Sequence, residues 1–327
     1  MSSSTAQASL DIDVQPGRPA VLQVAPSGSA ARWAAENRDA LRADVSEHGA
    51  VLVRGFGLKD AAEVADVFRA LGGTLMVEME AVATRDEYSD GVYGATPWPP
   101  NQPMCMHHEM SYAREPAGLM MFACLTAPTS GGATAVSDAS KILEALPADL
   151  VNRVAQDGWM LTRNYNEEIG SSYAEAFRTE SREEIEAYCK ANDIEFEWQS
   201  DGGLRTRQRR QAVVRHPRTG KRCWFNQIAF LNEWTLDPEV REYLVEVYGS
   251  EGLPFNTSFG TGDAIGADVV QVINATYEAN TMREPWQTGD LLLVDNIAMA
   301  HSREAFEGDR KLLVAMADPV RLRGWSA

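Results

Sequence analysis

The stretch MCMHHEMSY, residues 104 to 112, sets two histidines and a glutamate side by side among methionines and an aromatic residue. On a strand or at its end, residues i and i+2 project from the same face, so His107 and Glu109 would reach one ion while His108 turns away. Two histidines and one carboxylate leave open positions on iron, which is what a non-haem Fe(II) oxygenase needs for a chelating cosubstrate and O2. The second histidine has to come from elsewhere, and the chain holds only five: His48, His107, His108, His216 and His301. His301 follows GDLLLVDNIAMA, an apolar run able to carry it into an interior. His48 falls at a predicted helix end and His216 just before a turn, which makes both weaker candidates. Beyond His301, in EGDRKLLVAM, stands Arg310. A guanidinium on the strand after the ligand strand could form a bidentate pair with the remote carboxylate of a dicarboxylic acid chelated to iron, the geometry that 2-oxoglutarate requires. Each feature alone also has an ordinary structural explanation: an HxE triplet arises by chance, a lone histidine packs or caps, and Arg310 could open a surface strand.

Short strands are needed to position these groups, and the chain supplies them. Residues 1–30, rich in Ser, Ala, Gly and Pro, read as a loosely ordered lead-in with an edge strand at AVLQV. A single domain is expected over 31–327. Within it ARWAAENRDALRADVSEHG is a predicted helix stopped by Gly49, AVLVRGF a buried strand, and DAAEVADVFRALGG a second helix. A proline-rich irregular loop, VYGATPWPPNQP, leads into MCMHHEMSY. AGLMMFACLTAP reads as an apolar strand, and DASKILEALPADLVNRVAQDG as one or two short helices capped by Asp138 or Ser140. A helix-rich insertion is expected over approximately 138–205, since SYAEAFRTESREEIEAYCKAND is charged and lacks strand character. QAVVRHP and RCWFNQIAF are predicted strands, DPEVREYLVEVYG a helix, and DVVQVINATYEANTMREPW either. GDLLLVDNIAMAHS and DRKLLVAMADPV are predicted strands joined by the turn REAFEG. Strands on both sides of a helical insertion favour a mainly β fold, a sandwich or jelly roll with helical decoration.

Composition narrows the partners. Lys and Arg number 30 against 47 Asp and Glu, and the resulting formal charge of -17 repels a phosphate backbone. Cys105, Cys124, Cys189 and Cys223 form no CxxC pair, so neither a zinc knuckle nor a redox motif is suggested. No secretory pattern opens the chain and no apolar run reaches the roughly 18 residues of a membrane span, so a cytoplasmic location is expected.

Five pieces, HGAVLVRGFG at 48–57, HHEMSYA at 107–113, GGATAVSDAS at 131–140, RHPRTGKRCWFNQ at 215–227 and PWQTGDLLLVDNIAMAHSREAFEGDRKLLVAM at 285–316, occur in the order found in one family. Together they resemble the TauD/TfdA-like Fe(II)/2-oxoglutarate-dependent oxygenases, and within these the branch of syringomycin-type aspartyl hydroxylases and clavaminate synthase-like amino-acid hydroxylases. The resemblance covers nearly the whole chain. It implies a double-stranded β-helix (jelly roll) core, with Fe(II), 2-oxoglutarate as cosubstrate and O2. By position it implies His107, Glu109 and His301 as iron ligands, with Thr134 and Arg310 binding 2-oxoglutarate. Asn226 and Gln227 match a motif such proteins place near the active site, although a satisfied polar pair in a sheet is an equal alternative. A carboxylate at 109 argues against a halogenase, which leaves that position small for chloride. Val314 stands where taurine dioxygenase has a substrate-binding arginine, which disfavours a sulfonate substrate.

The activity implied is hydroxylation of an unactivated C–H in an amino acid, free or bound to a peptidyl carrier protein in a natural-product pathway, with release of succinate and CO2. Desaturation, ring closure or epoxidation would use the same residues. Arg303 and the basic run RTRQRR, 205–210, could recognise a carboxylate or a phosphopantetheine arm, but RTRQRR also reads as a solvated loop. Tyr112 could line the pocket or simply pack. The competing class is a cupin-like metal protein without redox chemistry, which usually brings three or four clustered histidines; here one clustered pair and one distal histidine favour the oxygenase.

Overall fold

The runs AGLMMFACLT in Ala117–Thr126 and LLLV in Leu291–Asp295 show no alternation of apolar and polar residues, as befits strands covered on both faces. In the computed structural model, which describes residues 10–166 and 169–322, they pair at the centre of an eight-stranded sheet. Its order is Ile12–Asp13, Ala20–Gln23, Ala50–Arg54, Leu291–Asp295, Ala117–Thr126, Lys311–Pro319, Val92–Gly94 and Glu87–Ser89. The parallel pair, Ala20–Gln23 with Ala50–Arg54, is linked by the crossover helix Ala30–His48.

Strand parity divides the interior in two. Leu291, Leu293, Met121, Ala123, Leu313 and Ala315 pack under Ala30–His48 and Ala61–Gly72, whose Val64, Val67, Phe68 and Leu71 recur at helical spacing. Leu292, Val294, Met120, Phe122, Leu312 and Val314 face the other way, into a second core. Packed into that core are a three-stranded sheet, ordered Met104–His107, Met299–Arg303 and Val136–Asp138, and, through Trp159, Leu161 and Phe259, one side of a four-stranded sheet, ordered Glu195–Trp198, Leu204–Arg210, Trp159–Tyr165 and Phe255–Phe259. The other strands of this sheet pack in a separate cluster with Ile185 and Phe177. Gly49, at φ 79, ends the first helix where an added Cβ would lie 2.5 Å from the Met299 sulfur, so the turn joins the helical layer to the three-stranded sheet.

Several elements differ from expectation. AVLQV is not an edge strand, because Ile12–Asp13 pairs outside it; residues 1–9 of the expected lead-in, like 323–327, lie outside the described residues. RTRQRR is no loop. It belongs to Leu204–Arg210, paired on both sides, with Leu204, Thr206 and Gln208 buried and arginines between them. Its period-2 pattern was hidden because two of the buried residues are polar. RCWFNQIAF is strand only over Arg222–Trp224, and the ambiguous DVVQVINATYEA is the helix Ala267–Ala279. Among the described residues, the expected 138–205 insertion holds four helices, Ala139–Ala145 with Asp138 as its N-cap, Ala148–Asp157, Tyr173–Phe177 and Arg182–Ala191, and also strands of the four-stranded sheet. Among the described residues no helix is long and apolar enough to cross a membrane, and the four cysteines are free thiols.

Candidate metal centre

His107 is the last residue of Met104–His107, and the antiparallel register sets His301, in the middle of Met299–Arg303, directly opposite it. The two ring centroids are 4.4 Å apart. Glu109 is not on the strand. The chain turns after His107, with Met110 in the left-handed region at φ 52, and Asn296 holds the turn. The Glu109 N–H donates to Asn296 Oδ1 (2.8 Å), while Asn296 Nδ2 donates to the carbonyls of Glu109 (2.9 Å) and Ala117 (2.8 Å). His107 and Glu109 therefore converge through a turn rather than through the pleat of a strand.

Glu109 Oε2 lies 3.8 Å from His107 Nε2 and 3.5 Å from His301 Nε2, and one ligand atom from each of the three residues falls within 4.8 Å of the others. These separations are too long for good hydrogen bonds. His107 Nδ1 donates to the Cys105 carbonyl (2.8 Å), which leaves the Nε2 lone pair facing Glu109. Burial, reinforced by His107, pulls the His301 imidazole down to about 4, so it is neutral at physiological pH. Burial pushes the Glu109 carboxyl up, but Arg85 and the two histidines more than reverse this and hold it well below the usual carboxylate range. Two imidazole nitrogens and an ionised carboxylate meeting at buried positions form a donor set suited to a divalent first-row cation. Among the described residues this is the cluster of histidine, cysteine and carboxylate groups that could hold one.

His108 points away. Its Nδ1 donates to the Asn296 carbonyl (2.6 Å), its ring packs on Phe225 at 4.9 Å, and burial pulls its imidazole down to about 3. The fold thus keeps two histidines neutral that would titrate near 6.5 when unfolded. Because the unfolded chain takes up more protons as pH falls below 6.5, stability is present above that value and is lost on acidification toward the folded values. At pH 5 each of these two histidines should cost about 2 kcal/mol relative to pH 8. Urea unfolding of metal-free protein should show its midpoint falling over this interval, and a flat profile would contradict the buried neutral imidazoles.

Asn296 was missed by sequence reasoning, since an asparagine after a strand reads as an ordinary turn residue. It is fully buried and satisfied. Asn296→Ala is expected to cost about 2–4 kcal/mol in stability through the stranded N–H and carbonyls, and about 10- to 100-fold in metal affinity by freeing the Glu109 turn. Urea midpoints and competition with a chelator would measure the two losses separately.

Arg310 and Thr134 do come together. Arg310 Nε donates to the Gly132 carbonyl (2.9 Å) and Nη2 lies 3.4 Å from Thr134 Oγ1. Gly132, at φ 70, allows this approach, because an added Cβ would meet Phe306 Cβ at 2.9 Å and Arg310 Cδ at 3.2 Å. The partners of Arg310 among the described residues are the Gly132 carbonyl and the Thr134 hydroxyl, with no carboxylate, and burial, with Arg303 nearby, pulls it down to about 10. A cation so placed calls for an anion.

Other candidates have structural tasks. Arg303 donates to the carbonyls of Trp98 (3.0 Å), Pro99 (2.7 Å) and Gln102, which ties down the proline-rich loop instead of offering a carboxylate site. His216 pairs with Asp295 at 2.9 Å, and His48 ends its helix. Asn226 bonds to Ala212 and Ile228, whereas Gln227 donates to the His108 carbonyl and lines the cavity described next. Val314 is buried between Tyr93 and Phe122.

A cavity of about 610 Å3 opens beside His107 and Glu109. Trp98, Phe230, Leu231, Leu236 and Phe255 line it, and Phe230 stacks on His107 at 4.3 Å. Tyr112 also lines it, with its hydroxyl donating to the Glu80 carbonyl (3.2 Å). Glu78 and Arg85, which no motif signalled, complete the wall, with Arg85 Nη2 3.0 Å from Glu109 Oε1.

Residues 14–316 match the family model described as "Taurine catabolism dioxygenase TauD, TfdA family". The chain is 36% identical over 276 residues to the dapdiamide synthesis protein DdaC of Enterobacter agglomerans, covering 84% of each chain. It is 28% identical to a clavaminate synthase-like protein of Arabidopsis thaliana, covering 83% of this chain and 82% of that one. Among solved structures, PvcB of Pseudomonas aeruginosa superposes with a TM-score of 0.54 at 15% identity, over 94% of this chain and 91% of that one. The class follows: the fold is mainly β with a jelly-roll core and helical decoration, and the protein is an iron- and 2-oxoglutarate-dependent oxygenase. It belongs to the TauD/TfdA family of dioxygenases.

Proposed function

We propose that the chain hydroxylates an unactivated C–H of an amino acid, free or presented by a peptidyl carrier protein, in a natural-product pathway, with release of succinate and CO2. His107, Glu109 and His301 hold Fe(II), and Thr134 and Arg310 receive the distal carboxylate of 2-oxoglutarate. The convergence of two imidazole rings and one carboxylate beside a largely apolar cavity carries this reading. The 36% identity to a dapdiamide synthesis protein supports the biosynthetic setting, and the free thiols suit a reduced, cytoplasmic compartment.

Iron, 2-oxoglutarate and O2 supply the oxidising power when bound. The chain's residues do the rest. Asn296 and Cys105 fix the ligand orientations through backbone contacts, and the Arg310 fork selects a dicarboxylic cosubstrate. The aromatic and aliphatic walls exclude water and hold the target carbon near the His107 and Glu109 edge, while Thr134 and Arg310 lie off this cavity, so substrate and cosubstrate have separate walls. Anaerobic titration of metal-free protein with Fe(II) and 2-oxoglutarate should give a weak visible charge-transfer absorption. Its absence in folded protein would sink the metal and cosubstrate assignment. Succinate release across free and carrier-bound amino acids then tests the substrate.

A further inference from the structure

Arg85 is an incomplete ion pair on the cavity wall. Its side chain is 9% exposed, yet a single nitrogen, Nη2, makes both of its contacts, at 3.0 Å to Glu109 Oε1 and 3.5 Å to Glu78 Oε1. Its Nε–H is buried with no acceptor. A guanidinium presents five N–H groups in a fixed fork matched to a carboxylate, so this one is left with donors to spare. Glu78 is likewise buried, and its carboxylate stands farther from Arg85 than a good hydrogen bond. Nearby Glu80 shows what a finished structural carboxylate looks like here: Tyr188 Oη and Gln208 Nε2 each donate to it at 2.9 Å.

The remaining charged group on the wall away from the metal edge, Asp237, is occupied in capping the helix Pro238–Tyr248, with its Oδ1 accepting from the N–H of Glu239 (2.9 Å) and of Val240 (3.4 Å). With Glu109 facing the metal edge, Glu78 and Arg85 are the facing acidic and basic side chains left on this wall. An acidic and a basic side chain facing each other on a largely apolar wall suit a ligand that carries both signs close together on an uncharged body.

We infer that Arg85 and Glu78 are the substrate-recognition pair of this cavity, Arg85 taking the α-carboxylate and Glu78 the α-ammonium of a free amino acid with an uncharged side chain. This rests on the metal-centre reading above and selects between its two substrate forms. A carrier-bound aminoacyl group has exchanged its carboxylate for a thioester and would leave the Arg85 fork unfilled.

The test is anaerobic calorimetry on the Fe(II)–2-oxoglutarate holoenzyme with L-leucine, L-phenylalanine and L-asparagine, and with the methyl ester and N-acetyl derivative of the tightest binder. Wild type should bind at least one free amino acid and should bind its ester and its N-acetyl form at least 10-fold more weakly. In Arg85→Gln the acid and ester should become equivalent, and in Glu78→Gln the free and acetylated amines should. Equal binding of acid and ester by wild type, no binding of the free amino acids, or retained discrimination in both variants would overturn the proposal. Should Arg85→Gln fail to hold iron, the wild-type ratios and Glu78→Gln still decide. The charge-transfer absorption, read in the same samples, separates the failures: its loss in wild type rejects the metal centre, whereas its presence with equal acid and ester binding rejects the recognition pair alone.

Discussion

His107→Ala should lose stoichiometric Fe(II) and more than 100-fold of turnover, exceeding the roughly 10- to 100-fold typical for removal of a supporting residue around a metal. The imidazole is one of the three proposed donors, it faces His301 in register, and its Nδ1 is fixed by the Cys105 carbonyl, so its loss leaves the proposed set one ligand short. His301→Ala should behave in the same way. His108→Ala is the informative control. Its ring packs on Phe225 and donates to the Asn296 carbonyl, so truncation should cost about 2–4 kcal/mol of stability, yet the folded fraction should keep its iron. Iron content of the reconstituted, dialysed variants distinguishes the adjacent histidines. Stoichiometric iron in His107→Ala would remove it from the ligand set.

Arg310→Met should leave iron binding intact and weaken 2-oxoglutarate selectively. Removing one partner of a buried, hydrogen-bonded charge pair costs about 2–5 kcal/mol, which corresponds to roughly 30- to 4,000-fold in affinity. The guanidinium remains cationic at neutral pH even when pulled down to about 10, so the pair is charged under working conditions. Arg310→Lys should fall between, because an ammonium keeps the charge and loses the fork. Thr134→Val, which removes one hydroxyl 3.4 Å from the Arg310 fork, should cost about 0.5–1.5 kcal/mol. The apparent KM for 2-oxoglutarate and its anaerobic titration read all three, and an unchanged KM in Arg310→Met would place the distal carboxylate elsewhere.

The local sequence carried the chemistry of this protein. The residue types in HHE, the distal His301 and Arg310 suggested an iron site, and the order of five motifs, through its resemblance to one family, implied a jelly-roll oxygenase with iron and 2-oxoglutarate. The basic strand LRTRQRR was misread, since its inward positions include Thr206 and Gln208 and no hydrophobic alternation marked it.

What only the tertiary structure decided is how those groups meet. Glu109 leaves the strand and is returned by Asn296, 187 positions away in sequence, and no local pattern records a contact that exists only after the chain has closed so long a loop. Arg303, by type and position a plausible carboxylate binder, instead directs its terminal N–H groups to the carbonyls of the Trp98 loop. Arg85 and Glu78 belong to no motif, and their place on the cavity wall beside Glu109 follows from packing alone. Sequence by itself determined which atoms could bind a metal and a dicarboxylic acid, while strand register, the buried Asn296 clamp and cavity shape determined which of them face one another. Those are products of long-range pairing and desolvation, which depend on neighbours in space rather than along the chain.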